Sequence, residues 1–89
     1  MDKVHTMSVF VKVVEMGSFT AVANHLDTTV GNISRAVSVL EDNLNTRLLQ
    51  RSTRRLVVTD AGRRLYERSV AILSDIERAE AEARDALLE

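Results

Sequence analysis

Arg47, Arg51, Arg54 and Arg55 fall within nine residues, Arg47-Leu48-Leu49-Gln50-Arg51-Ser52-Thr53-Arg54-Arg55, interleaved with two hydroxyl residues. Each guanidinium is a permanent planar charge with paired N–H donors, and small hydroxyls and free backbone N–H groups can approach the same anionic oxygens. The chemistry this mixture suits is binding to phosphate. Alone, an arginine cluster is more often a solvated surface, so its meaning depends on what surrounds it.

The overall charge conceals the cluster. Twelve basic against thirteen acidic residues give a formal net charge of -1 in 89 residues. Residues 1–46 carry -2, residues 47–68 carry +5 and residues 69–89 carry -4, so a basic centre is averaged against an acidic tail. Only the local charge bears on a partner.

Other chemistries are poorly supplied. The chain has no cysteine, which excludes disulfides and thiolate-bound zinc, and His5 and His25 are isolated, so no metal site or cofactor is expected. No hydroxyl is paired with a histidine and no glycine loop could cradle a phosphate, so an enzyme is not expected. No apolar run approaches the ~20 residues of a membrane span and no signal-like start appears; a cytoplasmic protein, in a bacterial cell, is the expectation. The length suits one small domain with a modest core, marginal unless something else helps to stabilise it.

The elements that must position the arginines are legible from spacing. Val4, Met7, Phe10, Val11 and Val14 predict a first helix over about 3–16, ended by Gly17 in a left-handed conformation. Ser18 can cap a second helix, about two turns long, with Val22, Ala23 and Leu26 as its apolar stripe. Asp27-Thr28-Thr29 interrupts the pattern, and Ile33, Val37, Leu40 and Leu44 mark a third helix whose polar face holds Asn32, Ser34, Arg35 and Ser38. So short a turn forces a steep crossing, with Ala23 small at the contact and Leu26, Ile33 and Val37 as shared core. The third helix then projects its N-terminal half outward, as a probe for a DNA major groove. A helical bundle without a ligand would share this spacing. The segment after the third helix tips the balance toward DNA: Asn45 can end that helix, and Leu48-Leu49-Gln50 and Leu56-Val57-Val58-Thr59 read as two short strands around the arginine-rich turn. That hairpin is a wing, able to follow a DNA backbone and to place an arginine in a narrow minor groove.

From Thr59 the pattern is helical to the end, with Thr59 as N-cap and Asp60 in the first turn, where its charge suits the helix dipole. Leu65, Ile72, Ala79 and Ala86 repeat every seven residues, Ser69, Ile76 and Ala83 fill the alternating position, and Leu73 and Leu87 lie alongside. One exposed helix cannot bury this stripe alone, so a partner chain is expected on Leu65, Ser69, Ile72, Leu73, Ile76, Ala79 and Ala83, the other reading being a solvated tail. The fold class predicted is mainly α: a winged helix-turn-helix over 1–59 (helix-turn-helix about 19–38, wing about 48–59), then a linker and dimerisation helix over 60–89.

Gly17-Ser18-Phe19-Thr20, Ala23, Leu26, Ile33-Ser34-Arg35, Leu40-Glu41, Leu44, Arg47-Leu48-Leu49, Arg51, Thr59 and Ala61-Gly62, in this order and spacing, resemble the N-terminal DNA-binding domain of LysR-type transcriptional regulators. The resemblance covers nearly the whole chain from Phe10 onward. It implies double-stranded DNA, at a palindromic promoter site, as partner, and a homodimer paired antiparallel through the linker helix. It further implies a tetramer in the full-length protein and a C-terminal domain, beyond this chain, through which a small-molecule inducer would act.

Where the family often carries Ser-Gln-Pro-Ala at the start of the recognition helix, this chain has Thr29-Val30-Gly31-Asn32. Thr29 keeps a hydroxyl cap, while valine cannot make the bidentate adenine contact open to glutamine; Asn32 could take over polar readout and Val30 could touch a thymine methyl. Leu49 stands where phenylalanine is common, and Asp60 where glutamate is. The DNA-binding set expected is Ser18, Thr20, Thr29, Val30, Gly31, Asn32, Ser34, Arg35, Ser38, Arg51, Ser52, Thr53, Arg54 and Arg55. Arg35 is its leading candidate for a guanine or phosphate, Arg51 and Arg54 for the backbone, and Arg55 for the minor groove.

Overall fold

The structure, a computed structural model, describes residues 2–52 and 55–88, with the side chains of 86–88 excepted. Thr53 and Arg54, expected on the wing, and the side chains of Ala86 and Leu87, expected on the heptad stripe, lie outside the described residues. Helix α1 (Lys3–Met16), α2 (Phe19–His25) and α3 (Val30–Leu44) precede a hairpin of β1 (Leu49–Arg51) and β2 (Leu56–Val58), and α4 (Asp60–Leu88) closes the chain. This is the mainly helical winged helix-turn-helix with a long C-terminal helix that the spacing predicted.

Each boundary has a local cause. Gly17 ends α1 at φ 68°, its N–H donating to the Val13 carbonyl. Asp27 takes φ 55°, and the Thr28 and Asp27 N–H groups close back on the Ala23 and Asn24 carbonyls. Asn45 repeats the device after α3 at φ 50°, with Thr46 and Asn45 bonded to Glu41 and Asp42. These reversals satisfy carbonyls that a helix end would otherwise leave open. The starts are capped by hydroxyls: Ser18 Oγ accepts from the Ala21 N–H (3.1 Å), Thr29 Oγ1 from Asn32 (3.1 Å) and Thr59 Oγ1 from Gly62 (3.0 Å).

The core is built from Val9, Phe10 and Val13 of α1, Val22 and Ala23 of α2, Ile33, Ala36, Val37 and Leu40 of α3, and Leu48 and Leu49. Two expectations are corrected here. Leu26, predicted in the shared core, is 40 % exposed, because α2 ends one residue earlier and Leu26 turns outward with the chain reversal. Leu48, predicted in the first strand, precedes it; β1 pairs antiparallel from Leu49↔Val58 to Arg51↔Leu56, and Thr59 follows β2 as the cap of α4. Leu48 is instead tied off-ladder, its carbonyl accepting from the Thr59 N–H at 3.0 Å.

The first turns of α4 pack on α1 and the hairpin: Ala61, Leu65 and Tyr66 lie against the core and Ser69 is fully buried. The 29 residues of α4 extend ~43 Å at helical rise, so its far half projects beyond the bundle, consistent with a longest dimension of 54 Å. The Tyr66 hydroxyl donates to Glu15 Oε2 at 3.1 Å and joins α4 to α1. That hydrogen bond, then burial and the Glu15 charge, hold the phenol pKa above its ordinary value, with Arg63 opposing. A raised folded pKa means stability present below the unfolded value, ~10, and lost as pH rises through the folded one. Urea midpoints measured across pH 9–12 are therefore expected to fall more steeply for the parent than for Tyr66→Phe; identical slopes would refute the link.

Candidate nucleic-acid interface

The outer surface of α3 starts at a cap. Thr29 Oγ1 accepts the Asn32 N–H, which leaves its own hydrogen available, and Asn32 Nδ2 donates to Thr28 Oγ1 at 2.9 Å, committing part of an amide expected to be open. Val30 is 45 % exposed, a large apolar side chain open to solvent at the tip. Gly31, Asn32, Arg35 and Ser38 are exposed beside it, and Ser34 is half-buried. A Cβ at Gly31 would meet only Thr29 Oγ1, at 3.8 Å, so this turn can be approached closely. Ser38 lies further along, sharing a hollow with Glu41, Asp42, Asn45, Thr46 and Arg47, where two carboxylates offset the basic side chain.

Two other elements flank α3. At the start of α2, Ser18 is a half-buried cap that still has a hydroxyl hydrogen to donate, and Thr20 is exposed. From the wing, Arg51 donates through Nη1 to Ser34 Oγ at 2.8 Å and lies with its guanidinium carbon 4.4 Å from the centre of the Phe19 ring. Ser52 N–H donates to the Arg55 carbonyl (2.9 Å) while Ser52 Oγ accepts from the Arg55 N–H (3.1 Å), which holds the two ends of the wing loop together. Phe19, Arg51, Ser52, Arg55 and Leu56 line one hollow. The structure thus brings Ser34, Arg51, Ser52 and Arg55 to the N-terminus of α2.

Three contributors were not in the expected set. Phe19 supplies the ring under Arg51. Arg47 borders a second hollow with Gln50, Arg51, Ser52 and Val57. Glu41, nine-tenths buried, accepts the N–H groups of Leu48 (2.8 Å) and Leu49 (3.2 Å) through Oε2 and so sets where the wing leaves α3. Of these, Arg47 carried a signal in its place in the arginine cluster, while Phe19 and Glu41 stood only among the residues that carry the resemblance, with no role attached.

The residues expected to pair chains lie on α4 in two environments. Leu65 and Ser69 pack inside the one chain, and Leu73 and Ile76 are half-buried along a groove shared with Val4 and Val11 of α1. Ile72 is 44 % exposed, and Ala79 and Ala83 are exposed on the projecting half.

The pattern described as "Bacterial regulatory helix-turn-helix protein, lysR family" matches residues 4–63, two thirds of the chain. The chain belongs to the LysR family. What it shares is that family's helix-turn-helix DNA-binding domain. It is 48 % identical over 77 residues to the HTH-type transcriptional activator AaeR of Escherichia coli, covering 86 % of this chain and 25 % of AaeR. It is 45 % identical over 80 residues to an HTH-type transcriptional regulator of Haemophilus influenzae, covering 90 % of this chain and 28 % of that protein. The chain therefore spans about a quarter of the length of these curated relatives. Among solved structures, the BenM DNA-binding domain in complex with catB site 1 DNA superposes with a TM-score of 0.91 at 28 % identity, covering 96 % of each chain. Oxidized OxyR of Corynebacterium glutamicum superposes at 0.88 and 29 % identity, over 97 % of this chain and 26 % of that one.

Proposed function

We propose that this LysR-family domain reads a palindromic promoter site in double-stranded DNA, with α3 in the major groove and the wing on phosphates and in the minor groove. The observation carrying this reading is the open, Thr29-capped start of α3, joined through Ser34 to Arg51, which lies with Ser52 and Arg55 beside the N-terminus of α2 and its Ser18 and Thr20. Free N–H groups at the starts of α2 and α3 and the hydroxyls that cap them suit phosphate oxygens, which fix register. Val30, Asn32, Ser34, Arg35 and Ser38 face the bases: Val30 suits a thymine methyl, and Arg35 the paired acceptors of guanine. Thr53 and Arg54 extend the wing's contact with the backbone, and Arg55 enters the minor groove, where negative potential is enhanced.

A second copy pairs through α4, using Ile72, Leu73, Ile76, Ala79 and Ala83; Leu65 and Ser69, expected in the same set, are taken up by the chain's own core, and the exposure of Ile72, Ala79 and Ala83 supports the pairing. Two-fold pairing would set two copies of α3 on half-sites, which is the reason for a palindrome. The parent protein is a cytoplasmic bacterial regulator, not an enzyme, tetrameric at full length, with an inducer acting through a further domain.

The test is fluorescence anisotropy with a duplex recovered by selection from a random-sequence library, against a scrambled duplex, over a salt series. Tight, salt-sensitive binding with at least ~10³-fold preference is expected. Arg35→Ala should cut that preference about tenfold or more, while Arg55→Ala should weaken binding to both duplexes and reduce the salt slope by about 1. Preference unchanged in Arg35→Ala would remove its readout role, and no binding at low salt would overturn the reading.

A further inference from the structure

Arg51 ends β1, yet its guanidinium reaches two other elements. Nη1 donates to Ser34 Oγ in the first half of α3 (2.8 Å), and the guanidinium lies over Phe19, the first residue of α2 (4.4 Å to the ring centre). One planar cation therefore joins the three elements of the DNA-facing surface. Lysine would keep the charge but not the fork and the stacking plane.

This arrangement polarises Ser34. A serine hydroxyl has one hydrogen and can accept as well as donate, so inside a helix it commonly turns back to a carbonyl one turn earlier. Here its oxygen accepts from Arg51, and among the described residues its hydrogen has no acceptor within the chain. We propose that Arg51 is a positioning residue for Ser34: it holds the hydroxyl oxygen as acceptor, presents the hydrogen to an acceptor atom on DNA, and so makes wing and recognition helix act as one unit. The inference rests on the DNA-binding reading and adds to it that Arg51 acts chiefly through Ser34, beyond its charge.

The test is a double-mutant cycle of Arg51→Lys and Ser34→Ala on the selected duplex, over a salt series, with melting of each variant followed to confirm folding; both side chains lie at the surface. Arg51→Lys is expected to keep the salt slope, because the charge is retained, and to lose about tenfold in affinity, with Ser34→Ala losing a similar factor. The double variant should then bind no worse than the weaker single, since either change disables the same unit. Arg51→Lys binding within about twofold of the parent, or losses that multiply in the double variant, would overturn the proposal while leaving DNA binding intact. A library from which the parent chain enriches no sequence overturns the DNA reading itself, and this inference with it.

Discussion

Gly62→Ala is expected to lower the thermal midpoint by about 15 °C, from a cost of ~3 kcal/mol at 4–8 °C per kcal/mol in a domain of this size. Gly62 lies in the first turn of α4, where that helix meets the chain entering the wing. A Cβ built there would overlap the Leu48 carbonyl oxygen and lie 3.0 Å from both the Leu48 carbonyl carbon and Val58 Cγ1. The obstacle is backbone, so rotamer changes cannot relieve it. Moving Leu48 away would strain its hydrogen bond from the Thr59 N–H (3.0 Å), the bond from the Thr59 hydroxyl to the adjoining Arg47 carbonyl (2.7 Å), and with them the cap that Thr59 gives to Gly62. Gly31→Ala is the control: its Cβ meets an ordinary contact, and alanine in a helix gains about 0.5–1 kcal/mol over glycine, so its midpoint should hold or rise. Circular dichroism melts of both variants decide it, and a Gly62→Ala midpoint within about 4 °C of the parent would show that α4 can slide on the hairpin at little cost.

Gly62 also shows what was legible in the sequence. Its neighbour Thr59 was readable as a cap, as were Ser18 and Thr29, because a hydroxyl before an apolar-periodic segment acts within three residues of itself. Gly17 and Asn45 were readable for the same reason, each ending a helix by its own φ. The role of Gly62 depends on Leu48, fourteen positions away and brought beside it by the hairpin, and no spacing rule points there. The site divides in the same way. The arginine cluster and the outward face of α3 follow from composition and period; the bond from Arg51 to Ser34 and the ring of Phe19 beneath it require the three elements to be placed first. Leu26 fits the apolar period of α2 and still faces outward, since periodicity assigns a stripe without knowing where the helix stops. On α4 a seven-residue repeat marks a stripe, and it does not say that Leu65 packs on the core of its own chain or that Ser69 is buried within it.

Glu41 is the largest effect that the pattern concealed. Its side chain is nine-tenths buried, and one carboxylate oxygen takes the N–H groups of Leu48 and Leu49, themselves both 1 % exposed. Chain entering a two-stranded hairpin has no ladder partner before the first pair at Leu49↔Val58, so these donors need another acceptor, and the reversal at Asn45 brings them to the end of α3. Glu41→Leu fills similar volume with an apolar group and leaves two buried donors unsatisfied, at about 1–3 kcal/mol each, so a loss of about 3–4 kcal/mol is expected. Glu41→Gln retains an amide oxygen that can accept, and should cost about 1–2 kcal/mol by replacing charge-assisted bonds with neutral ones. Urea unfolding with an unchanged slope and midpoints ordered parent, Glu41→Gln, Glu41→Leu checks this, and equal midpoints for the two variants would show that volume rather than hydrogen bonding is what Glu41 supplies. The same pair bears on binding, because Arg51 lies two residues past Leu49. If the carboxylate sets the origin of the wing, Glu41→Gln, still folded, should weaken affinity for the selected duplex together with the coupling between Arg51 and Ser34, whereas Gly31→Ala leaves that coupling in place.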